Sequence, residues 1–167
     1  MTEFSPGFAK ELIDVAWTIL SKGADSLDAK RAVLYLSKVS AEISLKHYLE
    51  RSGFSVAELR SLGHDLAALH EACAHTTFQK PLSSDQSITM SGAELGAVVL
   101  DVRYGNATVG TLLDAEKAGA TKYPSQLRYG RSLKDYPPEM VLQAATVLHS
   151  WVLENACTAK RRNGPKK

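Results

Sequence analysis

The sequence predicts an all-α fold, an up-and-down antiparallel bundle of four to five helices. Three observations lead there. Apolar residues recur three and four apart through most of the chain, the period that gathers them on one face of a helix. Gly, Pro and N-cap residues stand between these stretches, where helices start and stop. The length, 167 residues, suits one domain burying roughly 70% of the surface its unfolded chain exposes, without help from disulfides.

A first helix is expected over residues 7–22, where Phe8, Leu12, Ala16, Ile19 and Leu20 share a stripe widened by Ile13 and Trp17. Gly23 stops it, and Ser26 followed by Asp28 and Ala29 opens the next. The second helix, residues 27–51, carries two apolar rows: Val33, Leu36, Val39 and Ile43, then Leu34, Ala41, Leu45, Tyr48 and Leu49. A helix apolar over so wide an arc belongs at the centre of a bundle. Ser52 and Gly53 end it, and Ser55 with Glu58 has capping-box spacing for a third helix. Leu59, Leu62, Leu66, Leu69 and Cys73 mark its face as far as His75, with Gly63 breaking or bending it. Residues 76–92 turn polar and read as an exposed, mobile connection. For residues 93–117 the spacing of Leu95, Val98, Val99, Val102, Val109, Leu112 and Leu113 favours a helix. Gly105 and Gly110 weaken that reading and leave a strand turning at Gly105 and Asn106 as the alternative. Residues 119–136 read as an ordered loop. Pro137, Pro138 and Glu139 open a last helix, buried through Val141, Ala144, Leu148, Trp151, Val152 and Ala156.

A composition of 44% apolar and 23% charged residues, with 11 Gly and 6 Pro, excludes collagen, a disulfide scaffold and wholesale disorder. No apolar run approaches the roughly 20 residues of a membrane span. The opening residues lack a basic region followed by an apolar segment, which points away from a secretory signal and toward the cytosol. Cys73 and Cys157 fit that reducing setting. The formal charge of +2 divides unevenly: residues 160–167 hold 5 of the 20 basic side chains and none of the 18 acidic ones, leaving a body at −3. Residues 1–159 are therefore expected to form one unit, followed by a basic, disordered tail. Such a body is no clamp for nucleic acid as a whole, and DNA is not an expected partner.

Residues 35–69 carry Ser40, Ala41, Glu42, Ile43, Ser44, Leu45 and Lys46, then Gly53, then Gly63, His64, Asp65 and Leu66 opening a further helix. Downstream, Leu127, Arg128, Tyr129 and Gly130 precede Tyr136, Pro137, Pro138, Glu139 and an Ala-rich helix. In order and spacing this resembles the HEPN (higher eukaryote and prokaryote nucleotide-binding) domain family over about two thirds of the chain. The resemblance implies an all-α bundle that commonly dimerises. It also implies a family that either cleaves RNA without a metal or accompanies nucleotidyltransferases as noncatalytic partners. Cleaving members separate an arginine from a following histidine by four to six intervening residues, so that a cation and a proton-transfer group act together on the ribose 2′-OH and the phosphate. In this sequence none of His47, His64, His70, His75 and His149 has arginine at that spacing. The leading expectation is therefore a noncatalytic binding module, with no cofactor, whose partners are a second copy, a nucleotide or RNA, and a nucleotidyltransferase or other protein. The alternative is a ribonuclease with a displaced pair, in which Arg60 or Arg128 supplies the cation and His64 the proton transfer. A third reading is a stress or defence partner, in a toxin–antitoxin-like setting, that binds another protein.

The candidate ligand residues are His64, Asp65, Arg128, Tyr129 and Arg131, the last three in a segment that also holds Lys122 and Lys134. Each has a structural alternative. His64 would serve as a hydrogen bond between helices, Asp65 as an N-cap, and Arg128 and Tyr129 as packing of the loop on the bundle. Glu42 and Lys46, four apart, pair either on a surface or as a buried polar contact. His64, Glu71 and His75 would share a face if their helix were continuous, but a solvated polar face is the stronger reading, and no metal is predicted. Cys73 lies on the core row.

Overall fold

The computed structural model describes residues 2–23, 26–117 and 136–162. Ser5 accepts the Phe8 N–H (3.2 Å) and starts α1 (Pro6–Ser21). Ser26 does the same for α2 (Leu27–Arg51), accepting from Ala29 (3.1 Å), the cap the sequence predicts there. Ser55 and Glu58 form the expected capping box of α3 (Val56–Ser61). Gly63, at φ +62°, then breaks the chain, because only glycine takes that backbone conformation without strain. The third helix thus breaks at Gly63, one of the two outcomes the sequence allows there, and Asp65 caps the second part, α4 (Leu66–Ala74).

The second apolar row of α2 and the start of the first enter two packed groups, while Val39 and Ile43 stay half-buried. Val33 joins Ile13 and Ala16 of α1 and Leu142, with Leu36 and Trp17 against them. Leu34, Ala41, Leu45, Tyr48 and Leu49 face the larger core with Leu66, Leu69 and Cys73 of α4, Leu95, and Leu148 and Val152 of α6 (Pro138–Asn155). Burial pushes the Cys73 thiol well up, as suits packing rather than chemistry. Small buried residues, Ser37, Ser40 and Ala41 on α2 with Ala144 and Ala145 on α6, line the packed helices. Their hydroxyls turn back onto their own helix: Ser37 Oγ donates to Val33 O (2.7 Å) and Ser40 Oγ to Ser37 O (3.1 Å). Ser44 Oγ instead shares a 3.0 Å hydrogen bond with His149 Nδ1 of α6.

The expected all-α fold is corrected by a small antiparallel sheet of order β2-β1-β3. Residues 76–92, read as a mobile connection, form the hairpin β1 (Thr76–Pro81) and β2 (Ser87–Ser91), closed by the Leu82 N–H donating to Gln86 O (2.8 Å). Alternation explains it: Thr76 and Phe78 turn inward while their neighbours stay more exposed, and Phe78 faces Met90 across the pair. Phe78 sets its ring edge on Trp151 of α6 (centroids 5.1 Å, 81°), and Tyr48 lies 5.0 Å from the same indole. The Tyr48 hydroxyl meets Thr76 Oγ1 at 3.0 Å, and its burial raises the phenol to about 12.

The start of the expected disordered tail is also ordered. β3 (Lys160–Arg161) pairs with Thr76 and Thr77, Arg161 Nη1 donates to Glu58 Oε1 (2.8 Å), and its guanidinium lies 4.1 Å from the Phe54 ring centroid. Glu58 is held down at about 2, first by the Ser55 N–H and then by Arg161. Residues 163–167 lie outside the described residues.

The single helix expected over residues 93–117 is likewise replaced. A 3-10 helix (Gly92–Ala97), a bridge between Val99 and Thr108, a short 3-10 turn (Val102–Tyr104) and α5 (Gly110–Lys117) take its place. The strand alternative survives only as that bridge. Val99 and Val102, assigned to a buried stripe, are 67% and 88% exposed. Among the described residues no helix is long and apolar enough to cross a membrane.

Two outcomes follow from this packing. A Cβ at Gly92 would collide with the Cys73 carbonyl and the Thr76 hydroxyl, so Gly92→Ala should lower the urea midpoint markedly. His149 is held below its usual pKa by burial and then by Lys10 and His47, against a smaller opposing effect of Asp14. Unfolding therefore lets it bind a proton that the folded chain resists. Its contribution should be full above about pH 6.5 and fall as the pH drops further, while His149→Gln should lose less stability between pH 7 and pH 5 by urea titration.

Candidate functional site

α2 brings Tyr35, Lys38, Val39 and Glu42 to one side, at positions i, i+3, i+4 and i+7, and the turn after Gly63 delivers His64 opposite them. Together they line a cleft of about 220 Å³. Glu42 is its central group. Lys46 Nζ donates to Glu42 Oε1 at 2.8 Å and His64 Nδ1–H to the same oxygen at 2.9 Å. Both members of the Glu42–Lys46 pair are buried, and Lys46 Nζ also sits 5.4 Å from the Phe4 ring centroid. His64 remains 82% exposed. A carboxylate only accepts, so this bond places the proton on Nδ1 and leaves Nε2 for a ligand. Glu42 Oε2 has no donor among the described residues. Deeper in, Lys38 Nζ donates to Glu116 Oε1 of α5 (2.9 Å), a nearly enclosed ion pair tying α2 to α5.

The other sequence candidates fare differently. The Asp65 carboxylate is occupied at the start of α4, Oδ1 accepting from the Ala67 N–H (2.8 Å) and the Ala68 N–H (3.1 Å). Arg60 donates to Glu3 Oε1 (2.7 Å). Arg128, Tyr129 and Arg131 lie outside the described residues. Arg103, in the other Arg-Tyr-Gly phrase, stays beside Tyr104 (5.6 Å to the ring centroid) but is tied to Asp101, and the Tyr104 hydroxyl donates to Glu139 (3.0 Å). His64 precedes α4 instead of lying on it, so the continuous face with Glu71 and His75 does not form. Among the described residues no three His, Cys, Asp or Glu gather to hold a metal. His70 stands apart: burial and then Lys117 lower its pKa, and its Nε2 is enclosed without a hydrogen-bond partner among the described residues.

Tyr35, Lys38 and Val39 were missed as site residues. Their helical spacing with Glu42 was visible, but Val39 had been assigned to an apolar row. Only the end of its row away from the cleft reaches the core beside α1.

The fold and cleft define a mostly helical protein with a small clasping sheet and a polar cleft beside its central helix. No protein-family model, curated protein or solved structure matches the chain.

Removing Lys46 would leave the Glu42 carboxylate buried with only His64 beside it. Lys46→Met should cost on the order of 3 kcal/mol in urea denaturation, and the double change Glu42→Gln with Lys46→Met should recover most of that loss.

Proposed function

We propose that the chain is a noncatalytic, HEPN-like binding and interaction module that takes a nucleotide or a segment of RNA in the cleft beside His64. One observation carries this reading: a single Glu42 oxygen holds both Lys46 and His64 in place, so the cleft's polar groups are oriented before any ligand arrives. The His64 Nε2 and Glu42 Oε2 suit the base edges and ribose hydroxyls of such a ligand, and Tyr35, 43% exposed, supplies an aromatic wall. Phosphate contacts are assigned from the sequence to residues 122–134, with Arg128, Tyr129 and Arg131. The engagement of Arg60 with Glu3 favours binding over cleavage, since no described arginine is paired with His64.

The interaction role is assigned to a homodimer through the outer face of α1, where Phe8 and Val15 are exposed seven residues apart, with a nucleotidyltransferase or another protein as further partner. A cytoplasmic setting completes the reading.

Thermal shift with adenosine and guanosine nucleotides and a short single-stranded RNA should raise the melting temperature, and His64→Ala should reduce that rise. A melting point that none of them moves overturns the ligand assignment, and a monomer by light scattering overturns the dimer. Cleavage of labelled RNA by the parent chain, lost in His64→Ala, would establish the ribonuclease alternative in its place.

A further inference from the structure

A second and larger concavity, about 670 Å³, lies between the inner face of the β1–β2 hairpin, the C-terminal half of α6 and the 3-10 helix at Gly92–Ala97. It shares no lining residue with the His64 cleft. Its apolar wall is Phe78, Met90 and Trp151, the two rings already locked edge to face. Lys80 and Ile88 form the next cross-strand pair on the same side of the hairpin as Phe78 and Met90, so that face continues outward along it.

The polar groups around this wall are unequal in sign. Glu94, Glu154 and Lys80 all line the groove, and none of their side chains has an ion pair or hydrogen bond among the described residues. Asn155 is only 9% exposed. Its Nδ2 donates to Trp151 O (2.7 Å), and no donor reaches its Oδ1 among the described residues. Among the described residues the groove therefore presents two unpaired carboxylates and the open amide oxygen of the largely buried Asn155 against one ammonium. Acceptors exceed donors, and negative charge exceeds positive. An anionic ligand such as a nucleotide is repelled here. A cation that also offers an apolar body satisfies both the oxygens and the rings, through hydrogen bonds and the attraction of positive charge to an aromatic face. The volume falls within the range of small-molecule sites. Lys160–Arg162, the described basic residues near the end of the chain, are engaged elsewhere: β3 runs antiparallel to β1, and the Arg162 N–H meets His75 O, at the end of β1 away from Lys80.

We infer that this groove is a binding site for a small amphipathic organic cation, an aromatic or aliphatic body bearing an ammonium or guanidinium head. The body lies on Phe78 and Trp151, and the head is held by Glu94, Glu154 and the Asn155 carbonyl.

Isothermal titration of the full chain with 4-phenylbutylammonium, the neutral 4-phenylbutanol and the anionic 4-phenylbutyrate separates charge from apolar contact. The cation should bind about tenfold tighter than the alcohol, and the carboxylate should bind weakest. Glu94→Gln and Glu154→Gln, both at exposed positions, should each weaken the cation about threefold and leave the alcohol unchanged. His64→Ala should have no effect. Equal binding of all three probes, a preference for the carboxylate, or unchanged cation affinity in both glutamine variants would overturn the assignment.

Discussion

Burial of α2 on several sides at once is the constraint to which the rest of the molecule answers. One face packs on α1, another on α4 and α6, and Lys38 reaches α5. A helix so enclosed cannot leave polar side chains unsatisfied, because each would lose water without replacement. Ser37 and Ser40 meet this by bonding to their own backbone, and Ser44 by finding His149. Glu42 and Lys46 meet it by pairing with each other. The cleft is where that enclosure is incomplete. There the turn after Gly63, instead of another packed helix, covers Glu42, and His64 supplies the covering group while remaining open to solvent.

The sheet is a clasp rather than a second layer. Trp151 lies against Tyr48 of α2 and Phe78 of β1, and Tyr48 also reaches Thr76 at the first residue of that strand. Lys160 and Arg161 then close the other edge of β1, with Arg161 lying on Phe54 and bonded to Glu58 at the far side of α2's C-terminal end. Two aromatic contacts and one ion pair thereby bind the chain's last described residues to its middle. The same clasp creates the larger groove, since the hairpin face that carries Phe78 and Met90 leaves Met90 and part of Trp151 bordering open space.

The two concavities differ in chemistry for a definite reason. Around Glu42 every charge has a protein partner, so the cleft is oriented by its own salt bridge and offers directional groups, His64 Nε2 and Glu42 Oε2, rather than net charge. Around Trp151 the carboxylates of Glu94 and Glu154 have no partner among the described residues. Selectivity in the first would come from hydrogen-bond geometry, and in the second from charge beside an aromatic wall.

Much of the helical frame was legible from local signals. The capping residues Ser26 and Ser55, the stop before Gly53 and the two rows of α2 depend on interactions within a few residues, which sequence encodes directly. The buried pairing of Glu42 with Lys46 and the bond from His64 were among the alternatives that spacing allowed. What sequence could not decide were the contacts made across the chain. The hairpin was hidden because its outer positions are polar and only Thr76, Phe78 and Met90 turn inward. The pairing of Lys160 and Arg161 with β1 joins residues more than eighty positions apart, and no local pattern announces it. The amino-acid sequence by itself determined where helices begin and end, because caps and periodicity are short-range. Tertiary structure decided which polar side chains meet and which face is left open, because those outcomes depend on how much of α2 its neighbours cover.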